Sequence, residues 1–284
     1  MKLIKPSFEI LEHLPGLEGV YKQIELAGRT CYKSEDKITE DSAKEFVDRM
    51  IKSGHGAMLE HGTIYLNLDM TSREQYFKYC YNKFSKANST GSAEYGTWRG
   101  FVTTNLRVLV ENDWMEDLQY LCEPTEYHEK RHTVKFVCDR GVSHEFVRHR
   151  VFSFAQESTR YCNYSKDKFG NEITFIFPIW MDEELLKSYG SYHTVARSNT
   201  PESIFIAGLN NAEKDYLNLI NIGWKAQEAR AILPNALKTE LVMTGFESDW
   251  KHFFELRDAG SAHPQARELA QPLHKLFIDK KWLD

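Results

Sequence analysis

The sequence predicts an α+β fold: a central, mostly antiparallel sheet flanked by helices, with a helical C-terminal third. Strand-like segments rich in β-branched and aromatic residues, Thr63–Asp69, Thr133–Cys138 and Glu172–Phe177, lie in the first two-thirds of the chain. From Pro201 onward the apolar residues take helical spacing. No internal repeat, low-complexity tract or clean linker divides the 284 residues, which predicts a single domain over 1–284.

Each element has a local reason. Glu40–Gly54 spaces its apolar residues for a helix and stops at a glycine. Thr63–Asp69 (TIYLNLD) alternates as a strand does. Ser72–Phe84 reads as a helix, with aromatics at Tyr76, Phe77, Tyr79 and Tyr81, and the Ser/Gly/Asn/Ala-rich Ser85–Tyr95 as a loop. Phe101–Val110 is either a strand or a buried helix; periodicity does not decide. Thr133–Cys138 (TVKFVC) is a strand ending at Asp139-Arg140-Gly141, after which Ser143 is placed to cap a short helix carrying His144, Val147 and Arg148. Arg150–Lys168 is less regular and is followed by Gly170-Asn171 and a strand at Glu172–Phe177. Helices are then predicted at Pro201–Asn221, Trp224–Leu233, Ala236–Phe246, Asp249–Arg257 and Gln265–Phe277.

Composition narrows the class. With 42% apolar residues and 14 Tyr, 17 Phe and 6 Trp, the chain can bury a substantial core. A net charge of −5 argues against general nucleic-acid binding, which wants a basic surface. No apolar run approaches the roughly 18–20 residues that span a bilayer. The N-terminal Met1-Lys-Leu-Ile-Lys-Pro6 lacks the apolar centre of a signal peptide, so a cytoplasmic location is expected. Cys31, Cys80, Cys122, Cys138 and Cys162 are scattered, odd in number and free of Cys-x-x-Cys, which predicts reduced, mostly buried thiols.

The chemistry concentrates in one stretch. Arg148-His149-Arg150 is followed, after seven intervening residues, by Ser158, Thr159, Arg160 and Tyr161. Guanidinium groups at this density are uncommon in ordinary core segments, because each needs paired acceptors when buried. Their rigid fork of donors suits phosphate and planar acceptors, so a phosphorylated, ring-bearing small molecule is the partner to expect. Alone, an Arg-His-Arg run reads first as a solvated basic turn, a reading that the surrounding apolar residues and the following Ser158 and Arg160 weaken here. Ser153 and Ser158 are either caps and turn residues or hydroxyls that bind phosphate oxygens.

Other candidates are weaker. His55 and His61 flank Glu60, but their spacing does not match a His-Glu-x-x-His zinc helix, and no metal is expected. Arg230 precedes Pro234 at a helix end, and His252 and Arg257 lie five residues apart, only partly on one helical face. Together these arginines supply further cations to one anion or remain ordinary surface residues.

These pieces, in this order, resemble the flavin-dependent thymidylate synthases. The family's hallmark is Arg-His-Arg, seven residues, then Ser-x-Arg-Tyr, and the chain carries it from Arg148 to Tyr161. Ala27-Gly-Arg29-Thr-Cys-Tyr32, Glu60-His61-Gly-Thr63, Thr103-Thr-Asn105-Leu-Arg107, Ala229-Arg230-Ala-Ile-Leu-Pro234 and Trp250…Leu256-Arg257 are similar to its other segments, covering about residues 25–265.

The resemblance implies methylation of dUMP at C5, with methylenetetrahydrofolate as carbon donor and NADPH-reduced FAD as hydride source. It implies catalytic roles for Arg257 and Ser158, with Arg257 beside the pyrimidine. Glu145, Arg148, Gln156, Ser158, Thr159, Arg160, Arg230 and Arg257 would bind dUMP. Thr63, Arg148, His149, Arg150, Gln156 and His252 would line FAD. It also implies a homotetramer with sites shared between subunits, and no catalytic cysteine. His61 falls in a segment associated with folate or nicotinamide approach.

The chain departs from the family at several positions. Glu145 stands where many members carry Gln, Gln156-Glu157 replaces the commoner Glu two residues before the serine, and Phe246 and Ser248 replace polar or basic flavin contacts. Two rival readings remain at this stage. One is an RNA-binding module in which Phe152, Phe154, Tyr161 and Tyr164 act as stacking platforms among the arginines. The other is a family member that binds nucleotide or flavin without turning it over.

Overall fold

The structure, a computed structural model, describes residues 1–69, 73–92, 97–182, 184 and 200–283. Along the first half run β1 (Lys2–Ile4), β2 (Ser7–Leu11), α1 (Gly16–Tyr32), α2 (Ser42–Lys52) and the single turn α3 (Gly56–Leu59). Next come β3 (Thr63–Asp69), α4 (Arg73–Cys80), β4 (Lys86–Ser92), β5 (Thr97–Asn105) and α5 (Leu106–Glu111). The second half adds β6 (Arg131–Asp139), α6 (Arg140–Phe146), β7 (Ser153–Gln156), β8 (Thr174–Ile176) and α7 (Pro201–Asn221). The one-turn α8 (Ala226–Ala229), β9 (Lys238–Phe246), α9 (Glu247–Arg257) and α10 (Pro264–Asp279) complete the described residues.

The strands form three sheets. The largest is antiparallel, in the order β2-β6-β9-β7, and a separate antiparallel sheet runs β3-β5-β4. β1 and β8 make a parallel pair. β6 and β9 pair along their whole length, from Arg131 opposite Phe246 to Asp139 opposite Lys238. Alternation then assigns the two faces. Val134, Phe136 and Cys138, with Leu241 and Met243, enter an aromatic core built with α9 and α10. Val242 points the other way, joining Ala155 and Leu11 against Ala27 of α1. A second core gathers α1, β3 and β5 around Ile24, Ile64, Leu66 and Val102.

Four expectations are corrected. Ala236–Phe246 is not a helix: from Lys238 it is an inner strand, buried after its first residue and paired on both sides. Thr239, Val242 and Thr244 were the β-branched signal, hidden by apolar residues that also satisfy helical spacing. Ser85–Tyr95 is not a loop as far as it is described, because Lys86–Ser92 pairs with β5 from Lys86 opposite Thr103 to Ser92 opposite Thr97; residues 93–95 lie outside the described residues. A neighbour's open edge supplies the hydrogen bonds that this composition would not predict. Trp224–Leu233 shortens to one α-turn and one 3₁₀ turn (Arg230–Ile232) before Pro234. Asp139, not Ser143, caps α6, its carboxylate accepting from the Val142 N–H at 2.8 Å. The undecided Phe101–Val110 is both things in turn: β5 ends at Asn105, whose side chain accepts from the Val108 N–H and starts α5.

Candidate active site

α6 and β7 bracket the Arg148–Arg150 turn, and buried aromatics decide which of its residues face water. Phe146 and Phe152 anchor the two ends in the aromatic core, with ring centroids 5.0 Å from Phe253 and 4.7 Å from Trp250 respectively. Gly245 makes room for Phe152, since a Cβ there would stand 2.6 Å from its ring. With both ends pulled inward, Arg148 and Arg150 project outward and His149 turns into the protein. This is neither a wholly solvated turn nor a buried cationic run.

Arg257, the last residue of α9, closes over this turn. Its Nε donates to His149 Nε2 at 3.0 Å, Nη1 to the Glu145 carboxylate at 2.6 Å, and Nη2 to the Glu145 carbonyl at 2.8 Å. The guanidinium is thereby held in one plane, as its fork geometry allows. His149 accepts at Nε2, which places its own proton on Nδ1 in the neutral ring. Burial, then the charges of Arg257 and His252, draw its pKa down to about 4, so it is uncharged at neutral pH. His252 is exposed, with its ring 6.2 Å from that of His149.

A second group follows β7. Glu157 N–H donates to the Glu240 carbonyl at 2.8 Å and Ser158 N–H to the Cys31 carbonyl at 3.0 Å, fixing the backbone of the next turn. Thr159 is buried, and its hydroxyl accepts from Arg230 Nη1 at 3.1 Å. Arg160 is exposed over the Tyr161 ring, which packs 5.3 Å from Tyr32. Gln156 spends its amide hydrogens on Ser143 Oγ at 2.8 Å and Thr239 Oγ1 at 3.2 Å, leaving Oε1 as an acceptor. Among the described residues, Arg148, Arg150, Arg160 and Arg230 have no carboxylate partner. Of these, Arg148 acts electrostatically on Arg257, and cations left without carboxylates suit a polyanionic ligand.

An ion cluster beneath this turn had no motif to announce it. Glu240 accepts from Lys33 at 2.8 Å and is ion-paired with Lys135 at 2.6 Å, and Lys238 bridges it to Glu157 at 2.9 Å. Burial works to raise the Glu240 carboxyl, but the three lysines outweigh it and hold it well below the usual carboxylate range. Lys238 and Glu240 alternate on β9, a clue available only to a reader who already knew the segment was a strand.

Several expected ligands lie elsewhere. Ser153 is buried, its hydroxyl accepting from Arg131 Nη2 at 3.1 Å, and does not face the anion site. Thr63 is also buried and accepts from Arg131 Nη1 at 3.3 Å; no contact joins it to the Arg257 cluster among the described residues. Ser248, a departure from the family pattern, is bound to Glu129, while Phe246 lies under Arg131 and Lys86. Glu60 pairs with Arg107, His61 is wholly buried and His55 exposed, and among the described residues no group of three or more His, Cys, Asp or Glu could hold a metal ion. Of the RNA-stacking aromatics, Phe152 and Tyr164 are buried and Phe154 half-buried, leaving only Tyr161 exposed, so that platform does not exist. Burial of the cysteines is less general than expected: Cys138 and Cys162 are buried, Cys31 and Cys122 half-buried and Cys80 exposed, all as free thiols.

The family described as thymidylate synthase complementing protein matches residues 10–79 and 75–281. The chain is 33% identical over 135 residues to a flavin-dependent thymidylate synthase of Pyrococcus furiosus, covering 47% of this chain and 48% of that one. It therefore spans about half the length of that relative. A protein of the same name from Geobacter sulfurreducens is 22% identical over 273 residues, 94% of this chain and 80% of its own. One from Corynebacterium aurimucosum is 25% identical over 261 residues, 90% and 75% respectively. A solved structure of the UMP/dUMP methylase PolB from Streptomyces cacaoi, bound with 5-Br dUMP, covers 98% of this chain and 93% of its own at a TM-score of 0.43 and 17% identity, too distant to carry weight.

Proposed function

This chain belongs to the family of thymidylate synthase complementing proteins, and from that membership we propose that it is a flavin-dependent thymidylate synthase. It methylates dUMP at C5, with methylenetetrahydrofolate as carbon donor, NADPH as reductant and FAD as bound cofactor. The observation that carries the reading is Arg257, fixed by three hydrogen bonds and acted on by the charge of Arg148.

Making C5 of uracil nucleophilic places negative charge on the N3–O4 side of the ring. Arg257 stabilises that charge with donors that need no reorganisation, an effect worth roughly 3–4 kcal/mol for one well-placed donor. Glu145 acts through Arg257 as its counter-ion. Ser158, Arg160 and Arg230 hold the phosphate, Thr159 positions Arg230, and Gln156 offers Oε1 to the nucleotide. Ser158 orients the substrate and does not attack it. Arg148 contributes to both substrate and cofactor.

The residues present fit FAD. Arg148 and Arg150 are exposed cations without carboxylate partners among the described residues, suited to a diphosphate, and the exposed His252 imidazole lies 6.2 Å from that of the buried His149. FAD supplies the hydride when bound. Thr63 leaves the proposed cofactor set, because its hydroxyl is buried and taken by Arg131. We further propose a single domain, assembled as a cytoplasmic homotetramer whose subunits share each site. No helix among the described residues is long and apolar enough to cross a membrane.

The test is direct. The purified protein should carry non-covalent FAD, visible in its absorbance spectrum, and should oxidise NADPH faster with dUMP present. A folded preparation that stays colourless after incubation with FAD rejects the reading.

A further inference from the structure

Arg131 is a buried cation with no counter-ion among the described residues. It is 5% exposed, and its guanidinium donates only to neutral oxygens: the Glu60 carbonyl at 2.9 Å, Thr63 Oγ1 at 3.3 Å and Ser153 Oγ at 3.1 Å. Its Nε has no partner, and among the described residues no carboxylate lies within ion-pair distance of it. Burial draws its pKa down to about 10, against Tyr65, Glu60 and Asp249, so it remains charged at neutral pH. Leaving a buried charge uncompensated is costly unless something else supplies the anion.

Arg131 lines a cavity of about 560 Å³, within the range of small-molecule sites. Gln23 lines it too, 6% exposed and with its amide nitrogen unpartnered. Phe8, Ile10, Val20, Leu121 and Trp282 make its walls apolar and aromatic, and Trp282 stacks on His132 with centroids 3.7 Å apart. Leu14, Glu12, Glu123 and Lys280 line the cavity as exposed residues and mark its opening. None of Arg148, His149, Ser158, Arg230 or Arg257 contributes to it.

We infer that this cavity is a second binding site, for a small aromatic carboxylate whose charge meets Arg131 and Gln23 and whose ring packs among the apolar walls. A carboxylate matches the inventory better than a phosphate. Lys130 and Lys280 offset Glu12 and Glu123 in the lining, which leaves one unpaired guanidinium to compensate one negative charge. Two buried donors with no partner suit two carboxylate oxygens. The site stands apart from the proposed thymidylate chemistry and does not depend on it.

The experiment is a fluorescence titration of the full chain with 2-naphthoate and, in parallel, with the neutral 2-naphthalenemethanol. Naphthoate should bind saturably, about tenfold or more tighter than the alcohol, the expected gain of a charge-assisted contact over a neutral one. Gln23→Leu should weaken naphthoate about tenfold. Leu14→Trp, which fills the opening and leaves Arg131 untouched, should abolish binding of both. Arg131→Gln should erase the preference for the acid; if that variant does not fold, the Leu14 and Gln23 variants decide. No saturable binding up to millimolar probe, equal affinity for acid and alcohol, binding that survives Leu14→Trp, or displacement by dUMP or FAD overturns the assignment.

Discussion

Arg257→Lys keeps a positive charge at the end of α9 and removes the fork that fixes it. An ammonium reaching the Glu145 carboxylate leaves two acceptors, His149 Nε2 and the Glu145 carbonyl, to find water. At about 1 kcal/mol net per hydrogen bond the native state loses about 2 kcal/mol, less whatever water restores at this partly exposed site. For a chain of this length that is a fall of a few degrees in Tm. Chemistry should suffer far more, by about a hundredfold in single-turnover dTMP formation, because a flexible ammonium does not present preorganised donors. Arg257→Ala should be worse still. It should also let the His149 pKa rise from about 4, since the Arg257 charge ranks second only to burial among the causes that lower it. The assay is rapid-quench product formation with dUMP and methylenetetrahydrofolate saturating, beside an FAD titration and an NMR titration of His149. Wild-type turnover in Arg257→Lys, or a defect explained wholly by lost FAD, would show that Arg257 does not stabilise the reacting ring.

Acid should unfold the protein early. Burial first, with Arg131 next, holds His13 and His61 down to about 3, and His149 lies at about 4. The unfolded chain protonates its histidines near 6.5, so it binds more protons throughout that window, and stability should drop steadily as pH falls from about 6.5 to about 3. Urea midpoints across that range check this, and flat midpoints count against it. Glu240→Gln should destabilise by about 3 kcal/mol by leaving lysines without their carboxylate, and should weaken dUMP binding by loosening the Ser158 turn; unchanged midpoint and affinity would dismiss the cluster's role. Each cysteine changed singly to Ala should leave dTMP formation measurable. Cys138→Ser should cost more stability than Cys138→Ala, because it buries a hydroxyl in the aromatic core. Loss of chemistry in one folded, flavin-loaded variant would instead point to a thiol adduct.

Local patterns were legible where a few neighbouring residues settle the outcome. Thr63–Asp69 and Pro201–Asn221 have the bounds their spacing predicts, since alternation specifies the first and a Thr200 cap with Pro201 at the first turn specifies the second. The hallmark from Arg148 to Tyr161 was equally visible, because its cations are contiguous in the chain. β9 was misread because the strands that receive it, β6 foremost, are remote in sequence, and β4 because its Ser/Asn/Gly composition hides a strand that pairs with its immediate successor β5.

The site divides in the same way. Residue types and motif order by themselves pointed to the family and raised the expectation of an anionic, ring-bearing ligand. Tertiary structure decided what each side chain is free to do. Glu145 and Arg257, 112 residues apart, become one ion pair when α6 and α9 pack on a shared aromatic core, a pairing no local pattern announces. Arg131 carries no motif at all. Its solitary charge in a cavity wall arises only when the start of β6 brings its side chain to Thr63 and Ser153 and, among the described residues, to no carboxylate, because burial and partners are properties of the surroundings and not of the residue.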